Sequence, residues 1–253
     1  MHAYCRSGEE MQPPRWQDRA LAAITETLRP TRCAGCGRGG ELRCPECASR
    51  LPWIEQRSAG PCCGAPYGSD VCTECHGDWP LATTICAMSF EGVAARIVRI
   101  YKDQHETRLA GLIAAAMATA VDEAGCCLLP TGEARCDLAA IDAICFMPST
   151  PSALRRRGFD PMELVAKHLS NQLDLPLADV LAKDDVSDQR GLGREARWQN
   201  LAGSVSSVED VSGMRLLLAD DVVTTGASLA AAAAALSARG AQSVSACAFA
   251  RVW

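Results

Sequence analysis

The residues best suited to chemistry lie close together near the C-terminus, in the stretch RLLLADDVVTTGASL at positions 215–229. An apolar run leads into two adjacent carboxylates, Asp220 and Asp221, and then into a loop of small and hydroxyl-bearing residues before an alanine-rich segment. A loop that opens a helix can bind an anion, because the first backbone N–H groups of the helix are unpaired and the helix dipole is positive there. The stretch therefore predicts a phosphate site at the start of a helix.

The two carboxylates need a different partner, because they would repel a phosphate. Hydroxyl donors suit them, so Asp220 and Asp221 predict binding of a vicinal diol on a sugar, alone or with Mg²⁺ nearby. A ribose that carries a 5-phosphate meets both demands. Taken singly, each part also fits a simpler structure: the acids can form a turn and an N-cap, and TTGAS can be a polar loop. The combined order is more specific than either part.

Paired cysteines form the second chemically active group. The chain has 15 cysteines, and those between positions 33 and 75 are concentrated in pairs. Two CxxC pairs, 33/36 and 44/47, can bring four thiolates to one tetrahedral ion, which predicts a structural zinc site. A thioredoxin-like redox role would need one CxxC at a helix start within a βαβ unit, and this region has no such pattern.

A second set of metal ligands is less complete in the sequence. The CxxC pair 72/75 is preceded by only two adjacent cysteines, Cys62 and Cys63, in GPCCG. Cys63 could ligate with that pair, and Cys62, His76 or Cys86 could complete the site. Pairing the first CxxC with the third is equally open. The predicted metal ligands are Cys33, Cys36, Cys44, Cys47, Cys63, Cys72 and Cys75.

The segments around these residues alternate between strand and helix. TTICAMSF, IDAICFM, MRLLLA and SVSACAFA are strand-like, whereas VAARIVRIYK, RLAGLIAAAMATAV, PMELVAKHLSNQL and LAAAAAALSARG have helical character. Continuous apolar strands separated by helices predict a parallel sheet covered on both faces, so the fold class is α/β. MRLLLA leads directly into the acids, which places the predicted phosphate site at the carboxyl end of that strand.

Composition divides the chain into three parts. Residues 1–30 are expected to form a tail with one short helix, residues 31–80 a small cysteine-rich domain that needs metal to stabilise it, and residues 81–253 the sheet domain. A net charge of -5 argues against a strongly basic nucleic-acid binder. No apolar signal-peptide region is visible, and the apolar run 109–121 is too short to span a bilayer. A buried helix at 109–121 and a cytoplasmic location are therefore expected.

Residues 220–228 resemble the motif of the type I phosphoribosyltransferases, which has two hydrophobic residues, two acids, a hydrophobic pair, TTG and a small residue. By that resemblance, Asp220 and Asp221 hold the ribose hydroxyls of phosphoribosyl pyrophosphate, and the following loop holds its 5-phosphate. The implied reaction displaces pyrophosphate by a nitrogen nucleophile through an oxocarbenium-like state, assisted by Mg²⁺. The implied ligand-binding residues of this motif are Val222, Val223, Thr224, Thr225, Gly226, Ala227 and Ser228.

From the first CxxC pair to the C-terminus, the order of segments resembles the ComF family (competence protein F), in which a cysteine module precedes a phosphoribosyltransferase-like domain. FMPSTPSALRRRGFD matches a strand, a proline-bearing loop and an Arg-Gly-Phe motif, and QRGLGREARWQN matches Gln-x2-Leu-x4-Arg-x2-Asn. Three positions depart from the family pattern. Asp160-Pro161 replaces Asn-Gln, Gly60 replaces a cysteine, and the pair 101–102 reads Tyr-Lys instead of Lys-Tyr.

Roles for the matching segments follow from their position. Arg156 and Arg157, with Arg155, lie after a strand end and are predicted to donate to the pyrophosphate, and Lys102 is predicted to contact the ligand. The stretch 189–200 suits a mobile lid over the site. A solvated basic turn and an ordinary surface loop are the alternatives for these two segments.

Several functions are consistent with these features. The favoured one is a ComF-family protein that binds phosphoribosyl pyrophosphate and Mg²⁺ and serves DNA uptake, competence or repair. The alternatives are an active phosphoribosyltransferase of nucleotide or amine metabolism and a non-catalytic, nucleic-acid-associated binding protein. The implied partners are phosphoribosyl pyrophosphate and single-stranded DNA or a DNA-uptake helicase. With five Trp, three Tyr and four Phe, an extended platform for stacking bases is not expected.

Overall fold

A parallel sheet forms the centre of the protein. The computed structural model describes residues 30–68, 75, 79–129, 132–185 and 204–253. In chain order the strands are β1 (Thr84–Ser89), β2 (Ala143–Phe146), β3 (Leu181–Lys183), β4 (Val205–Ser207), β5 (Arg215–Val223) and β6 (Ser243–Arg251). Four of them are parallel in the order β1-β6-β5-β2, and β3 and β4 form a separate antiparallel pair. The long apolar strands lie in this sheet, as the sequence predicts.

Helices cover both faces of the sheet. In chain order they are α1 (Pro45–Ala48), α2 (Gly92–Asp103), α3 (Ala110–Cys126), α4 (Pro151–Arg157), α5 (Pro161–Leu173) and α6 (Ala227–Ala238). Alternate residues of β5 point to opposite faces, so Leu217 packs with α2, α3 and α5 while Leu218 packs with α6. The α/β prediction, with a sheet covered on both sides, is confirmed.

Within the part of the chain that the structure describes, the helix Thr107–Cys126 is long and apolar enough to cross a membrane, by length and composition alone. This segment includes a short 3-10 turn at Thr107–Leu109 followed by α3. Leu109, Ile113 and Met117 are fully buried in the hydrophobic core between the sheet and α5. The apolar run predicted as a buried helix therefore serves as a core helix of this fold.

Two elements differ from the sequence prediction. β5 does not end before the acids but continues to Val223, because its pairing with β6 extends that far. The proline-bearing segment predicted as a loop forms α4, in which the Thr150 hydroxyl accepts the N–H of Ala153 and Pro151 occupies the first turn. Gly158, with φ of 76°, ends this helix.

The cysteine segment, residues 30–68, packs directly against the sheet. Its residues 52–54 run antiparallel to β1: Ile54 N–H donates to the Ala87 carbonyl at 2.9 Å, and Ser89 N–H donates to the Pro52 carbonyl at 2.9 Å. Leu51 belongs to the same hydrophobic core as α2 and α3. The cysteine segment therefore covers the edge of β1. The boundaries at 30 and 80 stay predictions, and the tail helix lies outside the described residues.

Candidate active site

A cleft of ≈ 280 Å³ lies at the carboxyl ends of β2 and β5. In open parallel sheets this edge is the usual position of a ligand site. The charged and hydroxyl side chains that line the cleft include Lys102, Arg157, Lys183, Asp220, Asp221 and Ser228. Three cations beside two carboxylates suit a ligand that carries both negative charge and hydroxyl donors. The structure thus brings together both predicted acids, Lys102, Arg157 and Ser228. Ser228 belongs to the predicted phosphate loop, which is residues 224–228.

The two acids are buried at the end of β5, with 8% of Asp220 and 6% of Asp221 exposed. An oxygen of Asp220 accepts the N–H of Asp221 at 2.9 Å. Burial, together with the neighbouring charge of Asp221, raises the pKa of Asp220 to about 7, although Lys102 opposes the shift. The pair therefore changes its charge close to neutral pH. It can accept hydrogen bonds from hydroxyls or hold a hard cation once it is ionised.

Lys102 reaches the acids from the end of α2 and forms a salt bridge with Asp221. Its position depends on the preceding residue, Tyr101, which is fully buried and donates a hydrogen bond to the Pro161 carbonyl at 2.6 Å. This bond joins the end of α2 to the start of α5. The Lys102 side chain remains 30% exposed, so it can also meet a ligand in the cleft.

Asp160, one of the departures from the family pattern, shapes the wall of the cleft. Its carboxylate accepts the N–H of Ser149 at 2.6 Å and caps α5 by accepting the N–H of Met162 at 2.9 Å. Pro161 then occupies the first turn of α5 and lines the cleft. The Asp-Pro pair therefore fixes the strand-end loop after β2 against α5.

The loop after β5 opens α6 in the way that the sequence predicts for an anion site. Gly226 is the N-cap residue of α6, adopts a φ of 77° and has no side-chain cap. The Thr225 hydroxyl accepts the N–H of Ala227 at 3.4 Å, and the first backbone bond of the helix runs from Ala230 to Gly226. The N–H groups of Ser228 and Leu229 precede that bond, so they belong to the set that a helix leaves to outside acceptors.

The other predicted loop residues divide between cleft and core. Val222 and Ser228 line the cleft, and Thr224 is exposed. Val223 and Ala227 are buried with 1% and 3% exposure, so their side chains pack inside the protein. Any contact of these two residues with a ligand would have to come from the backbone.

The three adjacent arginines have different surroundings. Arg157 lines the cleft, whereas Arg156 is exposed on α4. Arg155 forms an exposed ion pair with Asp185 at 3.5 Å. Successive residues of a helix point about 100° apart, so consecutive arginines cannot all face one ligand. A loop would have allowed all three arginines to face the ligand, whereas the helix points them in different directions.

Trp79 is a residue that the sequence analysis did not single out. Its indole N–H donates to the Thr84 hydroxyl at 2.9 Å, and its ring lies directly against Gly226. A Cβ on Gly226 would lie 2.1 Å from Cη2 of Trp79. No sequence pattern indicates this contact, because the two residues are far apart in the chain.

The first two cysteine pairs converge as predicted. The Sγ atoms of Cys33, Cys36, Cys44 and Cys47 all lie within 4.8 Å of one another. Four thiolates at such distances fit a tetrahedral zinc site. Gly35 is part of the fit, because a Cβ there would lie 2.5 Å from Sγ of Cys47. Only glycine leaves the room that the four sulfur atoms occupy.

The protonation of these thiols is uneven. Burial raises the pKa of Cys33, but hydrogen bonds from the backbone N–H groups of Cys44, Cys36 and Gly35 outweigh it and bring the pKa down to about 6. Burial raises the pKa of Cys47 to about 12. One thiolate is therefore ready to ligate a cation at neutral pH, and a cation would replace the proton on Cys47.

The second set of predicted metal ligands is described only in part. Cys63 is fully buried and Cys75 is half-buried, while Cys72 and His76 lie outside the described residues. Cys86 is fully buried in β1, and burial raises its pKa to about 12. The ligand set of Cys63, Cys72 and Cys75 stays a prediction. The lid predicted at 189–200 also lies outside the described residues.

Comparison with known proteins agrees with this geometry. Residues 163–252 match the family model of the phosphoribosyl transferase domain. The matched segment runs from α5 to the end of β6 and contains both acids, the loop and α6. This segment of the chain is therefore similar to the phosphoribosyl transferase domain. The predicted type I phosphoribosyltransferase-like sheet, with a four-cysteine cluster that fits a small zinc domain, is confirmed.

Solved structures with some similarity include three proteins of phosphoribosyl metabolism. Glutamine phosphoribosylpyrophosphate amidotransferase from B. subtilis is 16% identical, with 55% of this chain and 26% of that chain covered and a TM-score of 0.34. Phosphoribosylpyrophosphate synthetase from Mycobacterium smegmatis is 25% identical, with 45% and 28% covered and a TM-score of 0.27. Hypoxanthine phosphoribosyl transferase from Trypanosoma cruzi is 14% identical, with 58% and 65% covered and a TM-score of 0.31. The chain thus spans less than two thirds of each. Comparison with curated proteins gives no match.

The contact between Gly226 and Trp79 leads to a prediction about Gly226→Ala. A left-handed conformation costs an alanine roughly 1–2 kcal/mol, and the clash with Trp79 adds overpacking of roughly 1–3 kcal/mol. Gly213 is a matched control, because its φ of 76° is close to the 77° of Gly226 but nothing lies within 4 Å of a Cβ there. We expect Gly226→Ala to lower the free energy of unfolding in urea clearly more than Gly213→Ala does. Equal losses in the two variants would contradict the packing of Trp79 on the loop.

Proposed function

We propose that this protein is a phosphoribosyltransferase that binds phosphoribosyl pyrophosphate and Mg²⁺ in the cleft at the end of β5. The observation that carries the proposal is the buried pair Asp220 and Asp221, joined through one short loop to the open start of α6. Carboxylates accept hydrogen bonds from sugar hydroxyls, and the start of a helix donates to a phosphate. Phosphoribosyl pyrophosphate offers both groups on one sugar.

Each part of the ligand has a matching part of the cleft. The 2- and 3-hydroxyls donate to Asp220 and Asp221, and the 5-phosphate accepts from the hydroxyls and backbone N–H groups of residues 224–228. The pyrophosphate accepts hydrogen bonds from the cationic side chains Lys102, Arg157 and Lys183, which line the same cleft. This assignment gives the anionic groups of the ligand cationic or N–H donors and leaves its hydroxyls to the two acids.

The chain fits a Mg²⁺ ion through the acid pair, because hard oxygen ligands are the ones that Mg²⁺ prefers. When bound, Mg²⁺ supplies positive charge that stabilises the departing pyrophosphate. In the reaction, the bond from C1 of the ribose to the pyrophosphate oxygen breaks, and a bond from C1 to the acceptor nitrogen forms. The two carboxylates stabilise the positive charge that develops on the ribose, and the rigid strand end holds the sugar in position.

Lys102 has a role before the ligand arrives. Its ammonium group neutralises Asp221 and so lessens the repulsion between two adjacent buried acids. When ligand hydroxyls or a cation bind the acids, the ammonium group can leave Asp221 and contact the pyrophosphate. The exposed fraction of Lys102 allows such a movement.

The cysteine segment extends the proposal to the family and to zinc. A four-cysteine cluster ahead of a phosphoribosyltransferase-type domain is the order of the ComF family, and we propose membership on that order and on the four convergent sulfur atoms. Zinc would stabilise the cysteine segment and has no open position for catalysis. A DNA partner and a role in competence stay predictions of the resemblance, and a cytoplasmic location stays a prediction from the sequence, since the comparisons lend none of them support.

Calorimetric titration tests the central proposal. We expect phosphoribosyl pyrophosphate with Mg²⁺ to bind the wild type and to bind Asp221→Asn at least about tenfold more weakly, because a neutral amide loses charge-assisted hydrogen bonds. Asp122→Asn is the control, because this acid is exposed on α3. No binding by the wild type would remove the proposal. Release of pyrophosphate on adding ammonia or candidate bases then separates a catalyst from a binding protein.

The raised pKa of Asp220 leads to a pH prediction. Below about pH 7 this carboxyl is protonated and cannot hold a cation, so Mg²⁺-dependent binding should strengthen as the pH rises from about 6 to 8 and then level off. The ligand phosphate also titrates near pH 6, so Asp220→Asn provides the baseline. We expect the pH profile of the dissociation constant to be flatter in that variant. The same slope in both proteins would contradict the assignment.

Metal analysis tests the zinc proposal. We expect purified protein to contain zinc, and Cys44→Ser to lose about one equivalent, because a four-thiolate site needs all four ligands. A strong chelator should lower the Tm of the wild type. Cys126→Ser is the control, because Cys126 is exposed and outside the four-cysteine cluster. Full zinc content in Cys44→Ser would count against a site at this cluster.

A further inference from the structure

A buried arginine lies beneath the phosphate loop. Arg251 is the last residue of β6, and its partner in the register of the sheet is Val223, the last residue of β5. The side chain has 0% exposure and is the largest of the fully buried side chains in the described residues. Such a position is unusual for arginine, which is almost never fully buried without polar partners.

The partners of Arg251 are backbone carbonyls from three segments. Its Nη1 donates to the carbonyls of Val223 at 3.2 Å and Thr224, and to that of Val252 at 2.7 Å. Its Nε donates to the carbonyl of Cys63 at 3.2 Å. One guanidinium therefore joins the start of the phosphate loop to the cysteine segment. The guanidinium does this with donors on two separate nitrogen atoms, Nε toward Cys63 and Nη1 toward the loop, whereas an ammonium group has its donors on one nitrogen.

These bonds help to set the direction of the loop donors, and at Val223 the carbonyl also accepts the backbone N–H of Val252 at 2.9 Å. In a trans peptide unit the carbonyl and the following N–H point in opposite directions. The carbonyls of Val223 and Thr224 point inward to Arg251, so the N–H groups of Thr224 and Thr225 point away from it. Thr224 is exposed and Thr225 half-buried, so that side is the outer side of the loop. An anion placed there meets donors and not carbonyl oxygens.

The anchor on the other side is rigid. Cys63 is fully buried, and the next residue, Gly64, has a φ of 68°. A Cβ on Gly64 would lie 2.8 Å from the Thr84 carbonyl and 3.0 Å from Sγ of Cys86. This close packing fixes the Cys63 carbonyl against β1. The position of Arg251, and with it the start of the loop, therefore depends on the cysteine segment.

We propose that Arg251 is a positioning residue for the phosphate loop, which turns the N–H groups of Thr224 and Thr225 toward the 5-phosphate and places a positive charge behind them. This inference rests on the proposed function, because it assigns the loop to the 5-phosphate of the ribose. It predicts that Arg251 affects ligands with a 5-phosphate and leaves the pyrophosphate part of the cleft unchanged.

Two probes separate these parts: ribose 5-phosphate and pyrophosphate with Mg²⁺, each titrated into wild type and Arg251→Lys. Lysine keeps the charge, but its single nitrogen cannot take the places of both Nε at Cys63 and Nη1 at the loop. We expect ribose 5-phosphate to bind roughly tenfold more weakly to the variant, and the pyrophosphate affinity to stay within about twofold. Arg215→Lys, at the exposed opposite end of β5, is the control and should change neither affinity.

Three outcomes would count against the proposal. Unchanged binding of ribose 5-phosphate, or equal losses for both probes, would overturn the role of Arg251 while leaving the proposed function in place. No binding of either probe by the wild type would overturn the proposed function and this inference with it.

Hydrogen exchange in the wild type decides the matter even if Arg251→Lys does not fold. The bonds from Arg251 predict that ribose 5-phosphate slows amide exchange both at residues 222–226 and at residues 62–65. Protection at residues 222–226 alone would contradict the connection through Arg251.

Discussion

The structure depends on two adjacent carboxylates buried at the end of its central strand. Asp220 and Asp221 lie in a sheet whose buried residues are mostly apolar, and burial of a charge is costly unless partners compensate it. Lys102 neutralises one acid, whereas burial and the neighbouring charge of Asp221 raise the pKa of the other. Several elements support this acid pair. The helix α2 carries the lysine, Tyr101 fixes α2 to α5, and Asp160 holds the loop after β2. A raised pKa of this kind is typical of sites that bind something.

Local sequence predicts the parts of this site that adjacent residues build. The acids, the loop and α6 follow one another in the chain, so one strand-to-helix transition brings them together without help from elsewhere. The same holds for the four cysteines, because each CxxC turn presents two sulfur atoms and only the two turns then have to meet. The apolar strands predict the sheet for a related reason: a continuous run of buried residues has few other places to lie.

The remaining parts depend on contacts between distant residues, which no local pattern records. Trp79 packs on Gly226, and the guanidinium of Arg251 binds the carbonyl of Cys63, 188 positions earlier in the chain. The helix α4 is a different case, since Thr150 and Pro151 are a recognisable helix start that the basic run after them obscured. That error mattered for function, because a helix presents Arg157 to the cleft and turns Arg156 to solvent, whereas a loop leaves all three arginines equivalent.

These distant contacts share one property: they connect the cysteine segment and the chain just after it to the phosphate loop. Cys63 reaches the loop through Arg251, and Trp79 reaches it through Gly226, so two separate contacts hold the loop. The antiparallel contact of residues 52–54 with β1 fixes the cysteine segment to the sheet at a point ahead of Cys63 in the chain. A loop that must donate several N–H groups to an anion gains from being held before the ligand arrives, because less ordering is then needed on binding. If the proposed function holds, the cysteine segment supports the binding site as well as covering the sheet edge, which would give a physical reason for its presence on the same chain as this domain.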